Sequence, residues 1–413
     1  MKKNVQAMLI FILSAAGTSF AGAANLHVGP SRQFATIRDA LAKARNGDSI
    51  LVYGGIWSEG NLVIDKEIKM KGINNPVLDG KLSVEMISVK ASHVTITGFT
   101  LINSAKSDLE DYAAVKVYNK EDVLITNNIL KNNFFGVYLS NCSGCTVTEN
   151  RITSEDKNQH RSGNGIHLWH CNHIQVKNNT VKGHRDGIYF EFVTASEISG
   201  NTSEGNIRYG LHFMFSNDDT YTGNTFRNNG AGVAVMFSYQ VRMIRNTFEQ
   251  NWGASAYGIL LKEIKDSEIR DNKFDKNTAA ITMEGATRIK ISQNTFSSNG
   301  WAIRISGSSD QCSVNGNNFL GNTFDVATSG SSVSNNFDGN YWDKYIGYDL
   351  NRDGKGDTPF YPVNLSSLIT ERIPCSLLLQ HSFTLDLIDQ SEKIAPQIIP
   401  MNICDFHPVL KKF

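Results

Sequence analysis

The sequence predicts an all-β protein, a right-handed parallel β-helix with coils of about 22 residues, an N-terminal capping helix and a partly helical C-terminal extension. Three observations predict this fold: a regularly spaced Asn, short alternating strands that follow a small residue, and a composition that avoids Pro. The chain has 413 residues, 34 Gly and 8 Pro, and no Pro lies between Pro76 and Pro359. Because Pro removes a backbone donor, its absence fits a continuous ladder of strands.

The Asn repeat sets the length of one coil. Most steps are 22 or 23 residues, with longer steps of 29 and 26 residues. Its members are Asn127, Asn150, Asn179, Asn201, Asn224, Asn246, Asn272, Asn294 and Asn317. Such a unit buries its apolar face only by stacking, and the Leu spacing of leucine-rich repeats is missing. We expect these Asn residues at corners, where they tolerate left-handed backbone and form amide ladders between coils.

The strands between the Asn positions alternate with period two, so every second side chain faces the core. The predicted inward columns are Ile166, Ile188, Leu211, Val233, Ile259 and Ile281, and Leu168, Phe190, Phe213, Val235, Leu261 and Met283. The predicted outward columns are His167, Tyr189, His212 and Ala234, and Trp169, Glu191, Met214, Met236, Lys262 and Glu284. We expect the outward columns to form an exposed face of the sheet.

Soft metal ligands gather on this predicted face. Coils stack at about 4.8 Å, so His212, Met214 and Met236 should lie on two adjacent coils. Glu191 and His167 should lie one and two coils below. Imidazole and thioether together suit Cu(I), and we predict a copper site from these five residues. The alternative is that the apolar and aromatic stripe is a protein docking surface.

An inserted loop also indicates that this face of the solenoid is the binding surface. The 29-residue step of the Asn repeat carries an inserted loop that contains His160. Insertions in a solenoid commonly fall on the binding face. We therefore expect the inserted loop to lie beside the candidate copper residues.

A loop after the last repeat resembles the first part of a calcium site. Oxygen-bearing side chains recur at Asp349, Asn351, Asp353 and Asp357, with glycine at the sixth position, as in loops that wrap a hard cation. The twelfth position is Phe360 in place of the usual Glu. We predict a structural Ca²⁺ at these four residues, and the alternative is a loop of Asx turns.

Cysteines give a weaker signal. Cys142 and Cys145 form a C-x-x-C pair, and the 29-residue offset predicts that Cys142 stacks on Cys171. In an oxidising compartment, a disulfide or an unreacted Cys ladder is favoured over a metal site.

The N-terminus predicts export. Lys2 and Lys3 precede an apolar run and an Ala-Gly-Ala sequence, which together indicate a signal peptide over residues 1–23. The mature protein is expected to be soluble and periplasmic, and to reach the membrane through partners. Its 40 basic and 40 acidic residues give a net charge of zero, which argues against a nucleic-acid partner.

Three regions are predicted in the chain. The signal peptide is followed by the β-helix over residues 24–364, which opens with an amphipathic helix from Thr36 to Ala44. Residues 365–413 form a C-terminal extension, because the Asn repeat stops and Pro returns. The apolar face of this extension either caps the last coil or docks onto another protein.

Three coils carry more specific sequences: HRDGIYFEF at 184–192, NIRYGLHFMFSNDD at 206–219 and GAGVAVMFS at 230–238. They closely resemble the NosD family, the periplasmic accessory proteins of nitrous oxide reductase maturation. Further resemblance lies at residues 261–264, 283–285 and 341–359. It implies a non-catalytic protein that works with an ABC transporter (NosF ATPase, NosY membrane subunit) to assemble the copper sites of the reductase NosZ, with the copper chaperone NosL as donor.

The resemblance also implies that the apolar C-terminal segment contacts the membrane subunit. It carries over no set of copper ligands, so the five predicted copper residues depend on the column argument alone.

The second hypothesis is an exported polysaccharide lyase or C5-epimerase that acts on a uronate polymer, since the fold is common among such enzymes. Its candidate residues are His184, Asp186, Tyr189 and Glu191, with Arg185 neutralising the uronate. The predicted face offers few Lys or Arg side chains for an acidic polymer and presents Met, Phe and Trp instead. This composition favours copper handling and partner docking.

Overall fold

The computed structural model describes residues 22–107, 109–306, 308–329, 334–379 and 403–413, together with residues 382, 383, 387, 388, 390 and 391. Over these residues the chain forms a parallel β-helix of about 14 coils, as predicted. The predicted signal peptide falls almost entirely on residues 1–21, outside the described residues. No helix within the described ranges has the length and apolar character needed to cross a bilayer.

Each coil contributes one strand to each of three sheets, named here A, B and C. The described strands of sheet A are Asn25–Val28, Ser49–Tyr53, Lys69–Ile73, Thr95–Thr97, Leu124–Thr126, Thr146–Thr148, Gln175–Lys177, Glu197–Ser199, Thr220–Thr222, Arg242–Ile244, Glu268–Arg270, Lys290–Ser292, Ser313–Asn315 and Asn336–Asp338. The described strands of sheet B are Ile56–Trp57, Val77–Asp79, Thr100–Ile102, Ile129–Lys131, Arg151–Thr153, Thr180–Lys182, Thr202–Glu204, Thr225–Arg227, Thr247–Glu249, Lys273–Asp275, Thr295–Ser297, Asn318–Leu320 and Tyr341–Trp342. The described strands of sheet C are Leu62–Ile64, Ile87–Val89, Ala113–Tyr118, Phe135–Ser140, Ile166–Trp169, Asp186–Glu191, Tyr209–Met214, Ala231–Met236, Tyr257–Lys262, Ala279–Glu284, Trp301–Ile305 and Phe324–Thr328.

The core is a set of stacked apolar columns inside the coils. Both predicted inward columns are confirmed: their members pair in register across sheet C and are buried. Sheet B adds an aromatic column of near-parallel rings 4.0–5.4 Å apart. Its members are Phe226, Phe248, Phe274, Phe296, Phe319 and Trp342. Apolar burial of this kind is what a single coil cannot achieve alone.

The predicted Asn ladder is present, with one correction. Its first described rung is Asn128, which is 1% exposed and donates to Asn150 Oδ1, whereas the predicted Asn127 is exposed. The side-chain amide of each rung donates to the next rung at 3.0–3.1 Å, up to Asn340. The left-handed backbone falls on the residue before each rung, as at Asn127 and Asn178 with φ of 54° and 53°. The rung itself is therefore selected for its amide and not for its backbone.

A second Asn ladder runs parallel to the first, five residues further along each coil, and was not predicted. Its amide-to-amide hydrogen bonds join Asn206, Asn229, Asn251, Asn277, Asn299 and Asn322. Because each rung bonds both to the next side chain and to backbone, these buried amides are satisfied.

The glycine near the start of several strands of sheet C is required by close packing between coils. A Cβ at Gly232 would lie 2.3 Å from the carbonyl oxygen of Gly258, its neighbour in the column. Without a side chain the backbones stack directly, and Val233 and Val235 of the same strand point into the core.

The predicted N-terminal helix is confirmed as Ile37–Lys43. Thr36 is its N-cap and accepts a hydrogen bond from the backbone N–H of Asp39 at 3.1 Å. Ile37 and Leu41 are buried against the first coil. The preceding strand Asn25–Val28, which pairs with Ser49–Tyr53, was not predicted, since it comes before the first repeat.

The C-terminal extension contains the α-helix Leu365–Arg372 and the 3₁₀ helix Pro374–Leu379. Arg304 of sheet C holds the α-helix through a two-pronged ion pair with Glu371, both contacts 2.9 Å. Residues 403–413 return to the last coil, where Asp405 and Val409 pair with Phe337 and Tyr341. This end of the extension is therefore a cap on the β-helix.

Asp405 ends the first Asn ladder. Its Oδ2 accepts hydrogen bonds from the backbone and side-chain amides of Asn340 at 2.9 and 3.0 Å, and from Trp342 Nε1 at 3.0 Å. Its Oδ1 accepts from the backbone N–H groups of Gly339 and His407 at 3.0 and 3.1 Å. A carboxylate suits this position because the last amide rung offers only donors.

Candidate metal-binding face

The outer side of sheet C is flanked by several long loops of the solenoid. Residues 103–112, 154–165 and 250–256 each connect a strand of sheet B to the next strand of sheet C. Lys106 in the first loop and Asp156 in the second form an ion pair at 3.0 Å. The predicted insertion with His160 therefore lies beside sheet C, where solenoids commonly place binding residues.

The predicted outward columns are in register. His167, Tyr189, His212 and Ala234 are successive partners across sheet C, and so are Trp169, Glu191, Met214, Met236, Lys262 and Glu284. The expected exposure is wrong for the first column, because His212 is 5% and Ala234 is 0% exposed. Tyr189 and Tyr209 pack their rings 5.0 and 4.8 Å from the His212 ring and cover it.

The two thioethers of the candidate site are neighbours. Met214 pairs with Met236 on the next coil and with Glu191 on the coil below, and all three are half-buried. The Tyr189 hydroxyl lies 4.0 Å from Met214 Sδ and 3.3 Å from Glu191 Oε2. Burial and then the Glu191 charge raise the pKa of Tyr189 to about 12, so it remains a hydroxyl donor. Two sulfur atoms and one carboxylate thus share a short strip of surface.

His212 supplies the imidazole of this strip. It lies two residues before Met214 on the same strand, so both side chains point to the same side of sheet C. In the described part of the chain, neither of its ring nitrogens has a hydrogen-bond partner. The ring is therefore free to act as a ligand.

His167 is not brought into this group. It stands two coils from His212, about 10 Å at the usual strand spacing. Its ring lies between Tyr138 and Tyr189, 4.4 and 4.8 Å away, and its Nδ1 pairs with Asn164 at 2.9 Å. Burial lowers the pKa of His167 to about 3, so its ring is neutral. One metal ion cannot be shared by His167 and His212.

His184, a candidate of the enzyme hypothesis, lies inside the coil. It is 0% exposed, its backbone N–H donates to Asn206 of the second Asn ladder, and burial lowers its pKa to about 4. A substrate on the outer face of sheet C cannot reach it. Asp186 and Tyr189 do remain beside His212, with Arg185 next to them.

An aromatic ridge borders the methionine column. We give this name to His170, Phe192, Phe215 and Phe237, whose rings stack 4.6, 5.2 and 5.1 Å apart at the turn after sheet C. The three Phe residues are 38–41% exposed and have φ of 50–55°, a conformation that costs about 1–2 kcal/mol for such residues. Exposed strained aromatic side chains favour the docking interpretation of this stripe as well.

The cysteine ladder is part of the core. Cys142, Cys145 and Cys171 are buried and unpaired in the described residues. The neighbouring pair Ser143 and Asn172 confirms that Cys142 and Cys171 stack on adjacent coils. A hydrogen bond with Cys142 and burial raise the pKa of both Cys145 and Cys171, which keeps these thiols protonated.

In the predicted calcium loop, the side-chain oxygens accept hydrogen bonds from the backbone N–H groups of the loop itself. Asp349 accepts from the N–H groups of Asp353 and Gly354, and Asp357 accepts from that of Leu350. Asn351 and Asp353 likewise accept from backbone N–H groups two residues on. Across all residues with described positions, no three His, Cys, Asp or Glu side chains are gathered to hold a metal ion. The geometry supports the alternative of an Asx-turn loop.

Arg208 is a charged residue of this face that the sequence did not single out. Its Nε lies 3.4 Å from Oδ1 of the fully buried Asp186. Sequence spacing gave no signal for it, because Arg208 precedes the strand and contacts Asp186 on the adjacent coil.

Comparisons with known proteins agree with this geometry. Residues 153–347 match the family described as "Periplasmic copper-binding protein (NosD)", and residues 18–160 match "Right handed beta helix region". The chain is 28% identical over 399 residues to a "Probable ABC transporter binding protein NosD" of Pseudomonas aeruginosa, covering 90% of this chain and 91% of the relative. A protein of the same description from Stutzerimonas stutzeri is 28% identical over 375 residues, 86% and 85% of the two chains.

Solved structures share the fold. The catalytic unit of a GH87 α-1,3-glucanase from Streptomyces thermodiastaticus has a TM-score of 0.59 at 14% identity, covering 80% of this chain and 70% of the glucanase. The adhesin PfbA of Streptococcus pneumoniae has a TM-score of 0.56 at 13% identity, covering 73% and 94%. These likenesses concern the β-helix alone. The sequence matches extend over nearly the whole chain and confirm the resemblance to the NosD family noted above.

Proposed function

We propose that the protein binds Cu(I) on the outer face of sheet C, through Met214, Met236 and His212 with Glu191 beside them. The observation that carries this proposal is the pairing of two thioethers on adjacent coils next to an imidazole with two unpartnered nitrogens. Thioether and imidazole are ligands that favour Cu(I) over harder ions. The matching family is described as a periplasmic copper-binding protein, which supports the same chemistry.

The copper would be cargo for a maturation process. Within the proposal, the protein works with the ABC transporter formed by NosF and NosY, receives copper from NosL and serves the assembly of the copper sites in NosZ. Support for a transporter partner comes from the two curated relatives, which are described as ABC transporter binding proteins.

Anaerobic competition titration with a chromophoric Cu(I) chelator tests the site. Met214→Leu and Met236→Leu keep the apolar volume and remove the sulfur, so each should weaken Cu(I) binding by about tenfold or more, or ~1.4 kcal/mol. Met283→Leu is the matched control, because Met283 lies in the core column of the same sheet and is 0% exposed. Unchanged affinity in both surface variants would remove this site from the proposal.

Partner docking is assigned to the C-terminal extension. In the helix Leu365–Arg372 the residues buried against the β-helix are Ser366, Ser367 and Thr370, while the following apolar side chains face solvent. These are Ile373, Leu377, Leu378, Leu379, Phe383 and Leu387, each 38–89% exposed. Apolar side chains turned outward suit an interface with an apolar partner surface, such as the transporter's membrane subunit.

A pull-down from detergent-solubilised membranes tests the docking surface. The triple variant Leu377→Ser, Leu378→Ser, Leu379→Ser should lose the transporter while keeping the β-helix. Deletion of residues 365–413 is a poorer test, because it also removes Asp405 from the end of the Asn ladder. Retention of the transporter by the triple variant would refute docking through this segment.

Of the five residues of the enzyme hypothesis, Arg185, Tyr189 and Glu191 are half-buried at the face, whereas His184 and Asp186 are fully buried. Incubation with alginate or pectin distinguishes it, since release of unsaturated uronate would show lyase activity and a change in C5 stereochemistry would show epimerase activity. We expect neither product.

A further inference from the structure

His212 is the one proposed copper ligand whose donor atom depends on a tautomer. A neutral imidazole carries one N–H and one nitrogen lone pair, and only the lone pair binds metal. Among described residues, neither nitrogen of His212 has a hydrogen-bond partner. The groups packed around the ring therefore decide which nitrogen is available.

Asp186 is the acceptor that faces this ring. Its Oδ2 lies 3.9 Å from His212 Nδ1. Asp186 is 0% exposed, and Oδ2 has no hydrogen-bond partner within the described structure. The rings of Tyr189 and Tyr209 pack against the imidazole, with centroids 5.0 and 4.8 Å from its own. A buried carboxylate oxygen and a buried imidazole nitrogen thus face each other, and in the described residues neither has a hydrogen bond.

Two guanidinium groups compensate the charge of Asp186. Arg208 Nε lies 3.4 Å from Oδ1, and Arg185 Nε lies 3.9 Å from Oδ2. A carboxylate in this buried place would be strongly destabilising without such partners. Since neither arginine makes a short hydrogen bond to it, Oδ2 keeps a lone pair for a further donor.

We propose that Asp186 is a positioning residue for copper binding: its Oδ2 accepts the Nδ1–H of His212 and leaves the Nε2 lone pair for Cu(I). The inference rests on the proposed copper function. Metal-binding histidines commonly donate their second N–H to a carboxylate, which fixes both tautomer and ring orientation. A separation of 3.9 Å exceeds a hydrogen bond, and a small ring rotation towards Asp186 closes it when the metal binds.

Asp186→Asn in the full mature chain tests the role by Cu(I) competition titration under anaerobic conditions. An amide is a weaker acceptor that can also present a donor to Nδ1, so we expect affinity to fall by about 10–100-fold. Asp218→Asn is the matched control, because Asp218 is an exposed carboxylate in the turn that follows the His212 strand on the same coil. Affinity of the control should equal that of the wild-type protein.

Nitrogen NMR of the wild-type protein reports which ring nitrogen of His212 is protonated and which binds the metal. A merely structural role of Asp186 would not determine this. With Cu(I) bound, His212 should show a protonated Nδ1 and a metal-bound Nε2, and His212→Gln identifies the signals. Bonding of Cu(I) to Nδ1 overturns the inference even if Asp186→Asn fails to fold.

The other outcomes distinguish the positioning role of Asp186 from the proposed copper-binding function. If Asp186→Asn binds Cu(I) as tightly as wild type while Met214→Leu and Met236→Leu bind weakly, the positioning role is wrong and the copper site stands. If the wild-type protein does not bind Cu(I), both are wrong.

Discussion

Asp405 closes the Asn ladder, and Asp405→Asn measures how much that closure stabilises the fold. The carboxylate accepts five hydrogen bonds, three at Oδ2 and two at Oδ1. The substituted amide keeps the shape but has one acceptor oxygen. In its better orientation it retains the three bonds at Oδ2 and turns its NH₂ group towards the N–H groups of Gly339 and His407.

The expected magnitude follows from the two bonds lost. Hydrogen bonds to a charged group contribute about 1.5–3 kcal/mol each, which gives ~3–6 kcal/mol for the pair. Removing a buried charge offsets part of this loss, so we expect destabilisation by about 3 kcal/mol. Urea unfolding monitored by circular dichroism measures it, and limited proteolysis should show earlier cleavage around residues 403–413 because end coils of a solenoid open locally.

Asp338→Asn is the control for the same end of the β-helix. Asp338 is half exposed and pairs with the exposed His407 Nδ1 at 2.7 Å, an interaction worth about 0–1 kcal/mol. If Asp405→Asn unfolds within about 1 kcal/mol of wild type and resists the protease equally, the ladder-closing role of the carboxylate is wrong.

Two further predictions concern the interior of the coils. Gly232→Ala should destabilise the fold by about 3 kcal/mol or more in urea unfolding, because its Cβ would lie 2.3 Å from the Gly258 carbonyl oxygen. The control Gly253→Ala should be near neutral, because the nearest atom to its Cβ would be 3.6 Å away. Equal stabilities of the two variants would refute the packing argument. Burial raises the pKa of Asp219 to about 8, so folding takes up a proton between about pH 4 and pH 8. Stability should fall by ~1.4 kcal/mol per pH unit across that range in wild type relative to Asp219→Asn, and parallel pH profiles would contradict this assignment.

The sequence predicts which residues of the candidate site are neighbours, but not which of them are exposed to solvent. Period-two alternation placed His212 beside Met214, and parallel pairing placed Met214 beside Met236, as the structure has them. The covering of His212 by Tyr189 and Tyr209 was not predictable, since it depends on how rings from two coils turn. The same packing separates His167, whose ring stacks with tyrosines on both sides.

The sequence by itself determined the coil length and the core columns, because these depend on a period repeated many times along the chain. It could not choose between Asn127 and Asn128, since steps of 22 and 23 residues both occur and only stacking shows which amide points inward. Asp405 follows Asn340 by 65 residues without any repeat, so its place at the end of the ladder was decided by the tertiary structure. A hydrogen-bonded ladder needs an acceptor at its end, and only the folded chain shows which residue provides it.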